Sequence, residues 1–171
     1  MATHEIGELQ RVFLTRLDSL SHILDVGEKH LPQFDAALQE RLAPDMLPLG
    51  AQIALGCNQP RGFSQWCADK PVENLSPEVG SMDLARSHIA QTKALVTDIT
   101  ADDSKLDEIK RVGLGHGTYC ELPARLYVSD YLLPNMYFHI TTAYAILRHL
   151  GAPLGKADFL TSLARHVKQQ A

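Results

Sequence analysis

The segment Leu126–Gly151, LYVSDYLLPNMYFHITTAYAILRHLG, constrains the fold of this chain more than any other part of it. It is long, apolar and rich in residues that favour a helix, although Pro134 lies inside it. Three side chains that are able to bind a ligand lie along it, namely Asp130, His139 and Tyr144. Such a segment is typical of the central helix of a bundle, of the wall of a binding site, or of both.

Pro134 predicts a bend in this helix. Proline has no amide hydrogen, so the carbonyl of Asp130 loses its helical hydrogen bond and prefers water, a side chain or a ligand. Beyond the proline, Asn135, His139 and Thr142 share one helix face because they follow each other at steps of four and three. A polar cluster in an otherwise apolar stripe predicts either a cavity or a closed set of hydrogen bonds.

Helical spacing also recurs elsewhere in the chain. Apolar residues from Ile6 to Leu24 define one face of a long helix that ends at Leu31–Pro32. The other predicted elements are a short helix over Gln33–Leu42, a second long helix from about Pro48 to Cys67, a third long helix capped by Ser81, a β-hairpin around Gly113–Gly117, and a last amphipathic helix over Lys156–Gln169 that buries Phe159, Leu160 and Leu163.

Glycine and proline are expected to disturb the second long helix. Pro60 and Gly62 predict that it is kinked or broken near Asn58–Gly62. The fourth long helix starts near Ala124 and ends at Gly151, where a glycine shortly before a proline is a common stop signal. Four long apolar-faced helices with one hairpin predict an all-α bundle.

Composition excludes several classes of partner. The chain of 171 residues suits a single domain, with a hydrophobic fraction of 45% and a charged fraction of 21%. A net charge of −4 makes nucleic acid an unfavourable partner, because phosphate binding needs a concentrated basic face. No apolar run approaches the ~20 residues of a membrane span. The start MATHEIGELQ lacks a signal sequence, and three cysteines without CxxC spacing suit reduced thiols, so we expect a cytoplasmic protein.

Two stretches of the sequence resemble a known family. LPNMYFHITTAYAILRHLGAPLGKADFL resembles the C-terminal signature of a bacterial domain-of-unknown-function family within the DinB/YfiT-like superfamily of predicted metalloenzymes. RLAPDMLPLGAQIAL resembles the start of that family's second helix. The resemblance implies a DinB-like up-down-down-up four-helix bundle over residues 1–171, with the small β-hairpin before the last long helix. It also implies a homodimer, because members of the superfamily are often dimeric.

The resemblance further implies a damaged metal site. Members of the superfamily bind a divalent metal through one histidine of the second helix and an HxxxH pair of the fourth, and some are thiol-dependent. In this chain His139 occupies the first fourth-helix position, Ala143 stands at the second and cannot bind a metal, and Cys57 best matches the second-helix position. A zinc site needs three or four protein ligands. We therefore expect no resident cofactor and at most weak binding of zinc or nickel.

Several residues are candidates for the lining of a ligand cleft: His139, Asn135, Thr142, Asp130, Tyr144 and Cys57. Each has a structural alternative, in which His139 is a core histidine bonded across the bundle and Cys57 is an inert buried thiol. Asp130 can equally cap a local amide or face solvent. The sequence contains no catalytic triad and no pair of carboxylates, so no catalytic residue is assigned.

Three classes of function remain open. The leading one is a bundle protein with a degenerate metal site and a small-ligand cleft near His139. The second is a divergent metal- or thiol-dependent transferase or hydrolase in which Cys57 and His139 share an ion with Asp130 or a water. The third is a homodimeric structural or interaction protein whose helix faces matter and whose cleft does not.

Overall fold

The computed structural model describes residues 4–168. Within them, four long helical segments, one β-hairpin and short helical turns form a bundle. In chain order the elements are α1 (Glu5–His30), α2 (Phe34–Ala37), α3 (Leu49–Cys67), α4 (Met82–Thr97), a 3₁₀ turn (Asp103–Asp107), β1 (Ile109–Gly115), β2 (Thr118–Pro123), α5 (Ala124–Leu126), a π turn (Tyr127–Leu132), α6 (Leu133–His149), α7 (Lys156–Phe159) and a second 3₁₀ turn (Thr161–His166).

The four long helices α1, α3, α4 and α6 enclose the core. Both α1 and α3 pack against α4 and α6, so the helices form a ring in the order α1, α4, α3, α6. The apolar stripe predicted for α1 faces the inside, where Phe13 is fully buried and contacts the ring of Phe63 edge-to-face at 5.4 Å between centroids. Burial of one such side chain contributes about 1.5–3 kcal/mol. The predicted helical bundle with one hairpin is confirmed.

Side chains close the helix ends. Ser81 caps α4 as predicted, because its hydroxyl accepts a hydrogen bond from the amide of Leu84 at 3.2 Å. At the start of α1, the carboxylate of Asp103 accepts hydrogen bonds from the amides of Glu5 and Ile6 at 3.0 and 2.9 Å. This contact holds the segment before the hairpin against the bundle.

The short helix predicted over Gln33–Leu42 is wrong in its length, since only Phe34–Ala37 is α-helical. The carbonyls that would continue this helix bind the start of α3 instead. Leu38 accepts from the amide of Gly50 and Glu40 accepts from the amide of Leu49, both at 2.8 Å. The chain therefore turns into α3.

The second long helix is not broken at Pro60. α3 runs from Leu49 to Cys67 with Pro60 inside it. One proline removes only one backbone hydrogen bond, and α3 is held on two sides by α4 and α6. The Ser64 hydroxyl also donates to the carbonyl of Pro60 at 2.8 Å, which satisfies a polar group in this buried stretch.

The prediction of one amphipathic helix over Lys156–Gln169 is also wrong. α7 ends at Phe159, a 3₁₀ turn follows, and Leu163 is 54% exposed; Gln169 lies outside the described residues. The carbonyl of Phe159 accepts a hydrogen bond from the guanidinium of Arg16, at 3.4 Å, where a continuing helix would use the amide of Leu163. Phe159 and Leu160 are only half-buried.

The predicted hairpin and the irregularity at Pro134 determine one end of the bundle. β1 and β2 are antiparallel, with Val112 opposite Cys120. The chain then enters a π turn directly before Pro134, in which the amide of Leu133 donates to the carbonyl of Val128, five residues back. A proline that lacks its amide explains why the helix is irregular here. No helix in the described part of the chain is long and apolar enough to cross a membrane.

Candidate functional site

A cleft of about 350 Å³ opens beside His139, between α3, α6, the π turn and the hairpin. We call it the His139 cleft. Its lining residues are Leu55, Asn58, Gln59, Gly62, Val72, Asn74, Lys110, Arg111, Val112, Gly113, Tyr127, Tyr131, Asn135 and His139. A second depression of about 320 Å³ near Leu38 and Gly80 has few polar side chains, so the His139 cleft is better suited to specific recognition.

His139 is held in one orientation by Gln52 of α3. The amide nitrogen of Gln52 donates to the carbonyl of Leu47 at 3.0 Å, which turns its carbonyl oxygen, Oε1, toward Nδ1 of His139 at 2.8 Å. Nδ1 must therefore carry the proton and donate to Gln52, and Nε2 is left as an acceptor. Burial lowers the pKa of His139, so the ring is neutral near pH 7.

Two tyrosines of the π turn form an aromatic wall. The rings of Tyr127 and Tyr131 are stacked with centroids 5.8 Å apart, and the ring of Trp66 meets Tyr127 edge-to-face at 6.4 Å. Tyr127 is 5% exposed, and burial raises the pKa of its phenol. Both tyrosines line the cleft, so a ligand there lies beside their phenol rings.

The predicted cleft candidates do not all meet in this cleft. His139 and half-buried Asn135 line it. Thr142 is buried but donates to the carbonyl of Phe138 at 2.8 Å, and Tyr144 packs its ring against Phe159. Asp130 is exposed and accepts from the hydroxyl of Ser129 at 2.6 Å. The polar face predicted from helical spacing is therefore not one connected network.

The residues at the damaged metal positions do not form a metal-binding set. Cys57 is fully buried, and burial raises the pKa of its thiol to about 12 despite a hydrogen bond to Thr92 of α4. It therefore faces α4, whereas the residue that meets His139 from α3 is Gln52. Ala143 is fully buried and offers no ligand. Among residues 4–168, no three His, Cys, Asp or Glu side chains are grouped so as to hold a metal ion.

Two polar residues of this region, Gln52 and Lys110, were not predicted from the sequence. Gln52 is 2% exposed and is the one polar side chain in the apolar run LGAQIAL, which is a signal for a buried hydrogen-bond partner. Lys110 is half-buried and alternates along β1 with exposed neighbours, so it faces the protein. Helical spacing along the sequence does not connect either residue with His139, because each belongs to another element and reaches the site only once the fold has formed.

The comparisons with known proteins agree with this architecture. The model of the family described as Domain of unknown function (DUF1993) matches residues 9–160. A similar fold occurs in the crystal structure of a DinB family member protein from Shewanella denitrificans, which is 25% identical, with a TM-score of 0.76 over 91% of this chain and 93% of that one. Among curated proteins, none matches. The predicted DinB-like fold is confirmed, and the chain belongs to the DUF1993 family.

Proposed function

We propose that this protein binds a small organic molecule in the His139 cleft. One observation carries the proposal: Gln52 fixes the protonated Nδ1 of His139 and leaves Nε2 as an acceptor beside a cleft of about 350 Å³. This volume is at the lower end of the range of small-molecule sites. A pre-oriented acceptor and an aromatic wall of two tyrosines are the kind of features that small-ligand sites combine.

The metal-dependent alternative receives less support from the same residues. An amide stands opposite His139, and Cys57 and Ala143 do not supply the missing ligands. A thiol-dependent reaction needs an accessible thiolate with a lowered pKa. Cys57 is buried and its pKa is raised to about 12, which is the opposite condition.

We also propose a cytoplasmic location. All three cysteines are free, and Cys57 and Cys67 are buried as reduced thiols. Reduced buried cysteines are common in proteins of reducing compartments and uncommon in secreted domains of this size. Fractionation of the native host, with immunodetection of the protein, tests this location.

A ligand-observed NMR screen of small organic fragments tests the proposed function. Asn135→Trp fills the cleft from its edge, whereas Tyr137→Trp adds the same indole two residues away on α6 at a position that does not line the cleft. We expect fragments that bind the wild type and Tyr137→Trp but not Asn135→Trp. Absence of binding to the wild type at millimolar concentration, or equal binding to Asn135→Trp, contradicts the proposal.

A further inference from the structure

The His139 cleft contains positive charge and no negative charge. Lys110 is among the described residues that line it, whereas no aspartate or glutamate is. This bias is local, because the whole chain has a net charge of −4. A cleft with an uncompensated cation selects for anionic ligands.

Lys110 is the side chain that gives the cleft this charge. Its Nζ lies 5.2 Å from the centre of the Trp66 ring and 5.8 Å from that of Tyr127. The neighbouring Lys105 pairs with Asp69 and Glu108, at 2.5 and 3.0 Å, whereas Lys110 has no ion-pair partner within residues 4–168. Burial and the charge of Lys105 lower the pKa of Lys110. A bound anion would offset both effects.

Arg111 serves as a natural comparison for Lys110. Successive side chains of a strand point to opposite faces, and the guanidinium of Arg111 stacks over the ring of Tyr119 with its carbon 3.5 Å from the ring centre. Arg111 is exposed, and Tyr119 is 51% exposed. The charge of Arg111 therefore lies on the outer face of the hairpin.

We propose that the ligand of the His139 cleft is a small planar acid, whose anionic group pairs with Lys110 and whose hydroxyl or amino group donates to Nε2 of His139. The inference rests on the proposed function, since it specifies the ligand of the same cleft. Planarity follows from the stacked Tyr127 and Tyr131, which offer an aromatic wall. A hydroxyl or amino donor follows from the tautomer of His139, whose Nε2 only accepts.

The test compares 4-hydroxybenzoate with 4-hydroxybenzamide, which have nearly the same shape but differ in charge. Trp66 is the only tryptophan in the chain and lies beside both Lys110 and Tyr127, so its fluorescence reports occupancy of the cleft. We expect the acid to bind at least ~10-fold more tightly than the amide. Loss of a charge-assisted hydrogen bond accounts for a factor of about that size.

Variants of Lys110, with a control at a distant cation, make the test specific. Lys110→Met keeps an unbranched apolar stem against Trp66 and should remove the preference for the acid, whereas Lys110→Arg should retain it. Lys29→Gln removes an equal charge from an exposed position of α1 that does not line the cleft, and it should leave both affinities within about twofold, because a solvated charge contributes little.

The outcomes separate this inference from the proposed function. Equal binding of acid and amide, or an acid preference that survives Lys110→Met, overturns the inference while the cleft remains a ligand site. If neither probe binds, the result depends on the fragments from the NMR screen that bind the wild type but not Asn135→Trp. The inference is overturned if these fragments are neutral or cationic, and it is supported if they are acids whose binding requires Lys110. If no fragment binds, the inference and the proposed function are both wrong.

Discussion

At the scale of single residues, His139 and Gln52 depend on each other. Gln52 is 2% exposed and His139 is 9% exposed, so neither is able to exchange its partner freely for water. Helical spacing suggested Asn135 and Thr142 as the partners of His139, but Thr142 bonds the carbonyl of Phe138. The partner comes from another helix, and its identity depends on tertiary packing that periodicity along α6 does not describe.

We expect His139→Ala to lower the free energy of unfolding by about 1–3 kcal/mol, because it leaves the buried Oε1 of Gln52 without a donor. Urea unfolding followed by circular dichroism measures this change. His149→Ala, at an exposed position of the same helix, is the matched control and should cost less than about 0.5 kcal/mol. Equal small effects of both substitutions contradict the predicted role of the hydrogen bond.

At the scale of secondary-structure elements, α4 contains a polar group without a partner. His88 is 7% exposed, and neither of its ring nitrogens has a hydrogen-bond partner in the described part of the chain. Burial and the charge of Arg61 lower the pKa of His88. A buried unsatisfied group of this kind lowers the free energy of unfolding by about 1–3 kcal/mol, so α4 stabilises the fold less than its apolar residues alone would.

We expect His88→Leu to stabilise the protein, by about 1 kcal/mol at pH 7.5, because it replaces unsatisfied polar atoms with apolar ones of similar volume. The gain should be larger at pH 5.5. The unfolded chain binds a proton at this histidine below a pKa of about 6.5, whereas the folded chain does so only at lower pH, so the wild type loses stability as the pH falls through this window. Urea unfolding at both pH values measures the difference. A destabilised variant, or a gain that is the same at both pH values, contradicts this explanation.

Metal binding is also a property of two elements, α3 and α6. We expect the wild type to purify without stoichiometric metal. Gln52→His combined with Ala143→His should bind zinc at least ~100-fold more tightly, because the packed helices α3 and α6 then supply three imidazoles and Gln52 already contacts His139. Cys57→His combined with Ala143→His is the control and should not have this effect, since Cys57 contacts Thr92 of α4. Isothermal titration with zinc measures all three proteins. About one zinc per wild-type chain after dialysis against chelator contradicts the account.

The elements of this fold differ in how far their sequences determine them. Long amphipathic stretches such as α1, the Ser81 cap and the Gly113–Gly117 turn were predictable, because spacing, capping and turn chemistry act locally. The short length of α2 and α7 was not predictable. Carbonyls that follow α2 bind amides at the start of α3, and the last carbonyl of α7 binds Arg16. The continuity of α3 past Pro60 likewise depends on its neighbours. For the site, His139 and Asn135 were found from spacing, whereas Gln52 and Lys110 reach it from elements distant in sequence.

At the scale of the whole molecule, we expect a homodimer. The DinB-like fold motivates this prediction, and α6 presents adjacent apolar side chains to solvent, with Tyr137 36% and Phe138 56% exposed. Light scattering at micromolar concentration should give twice the chain mass, and Phe138→Asp should shift the equilibrium toward monomer. Monomer mass for the wild type at that concentration would show that this prediction is wrong.

The central claim concerns the whole site: a neutral His139, fixed through Nδ1 by Gln52, offers Nε2 to an organic ligand. Long-range ¹H–¹⁵N correlation spectra of the imidazole rings at pH 7 test it most directly, with His139 assigned by the signal that His139→Ala removes. We predict a proton on Nδ1, an unprotonated Nε2, and a change in the Nε2 shift alone when the tightest-binding fragment is added. A His139 ring that is protonated on both nitrogens would contradict the account. So would an Nε2 chemical shift that changes on addition of equimolar zinc but not on addition of any fragment.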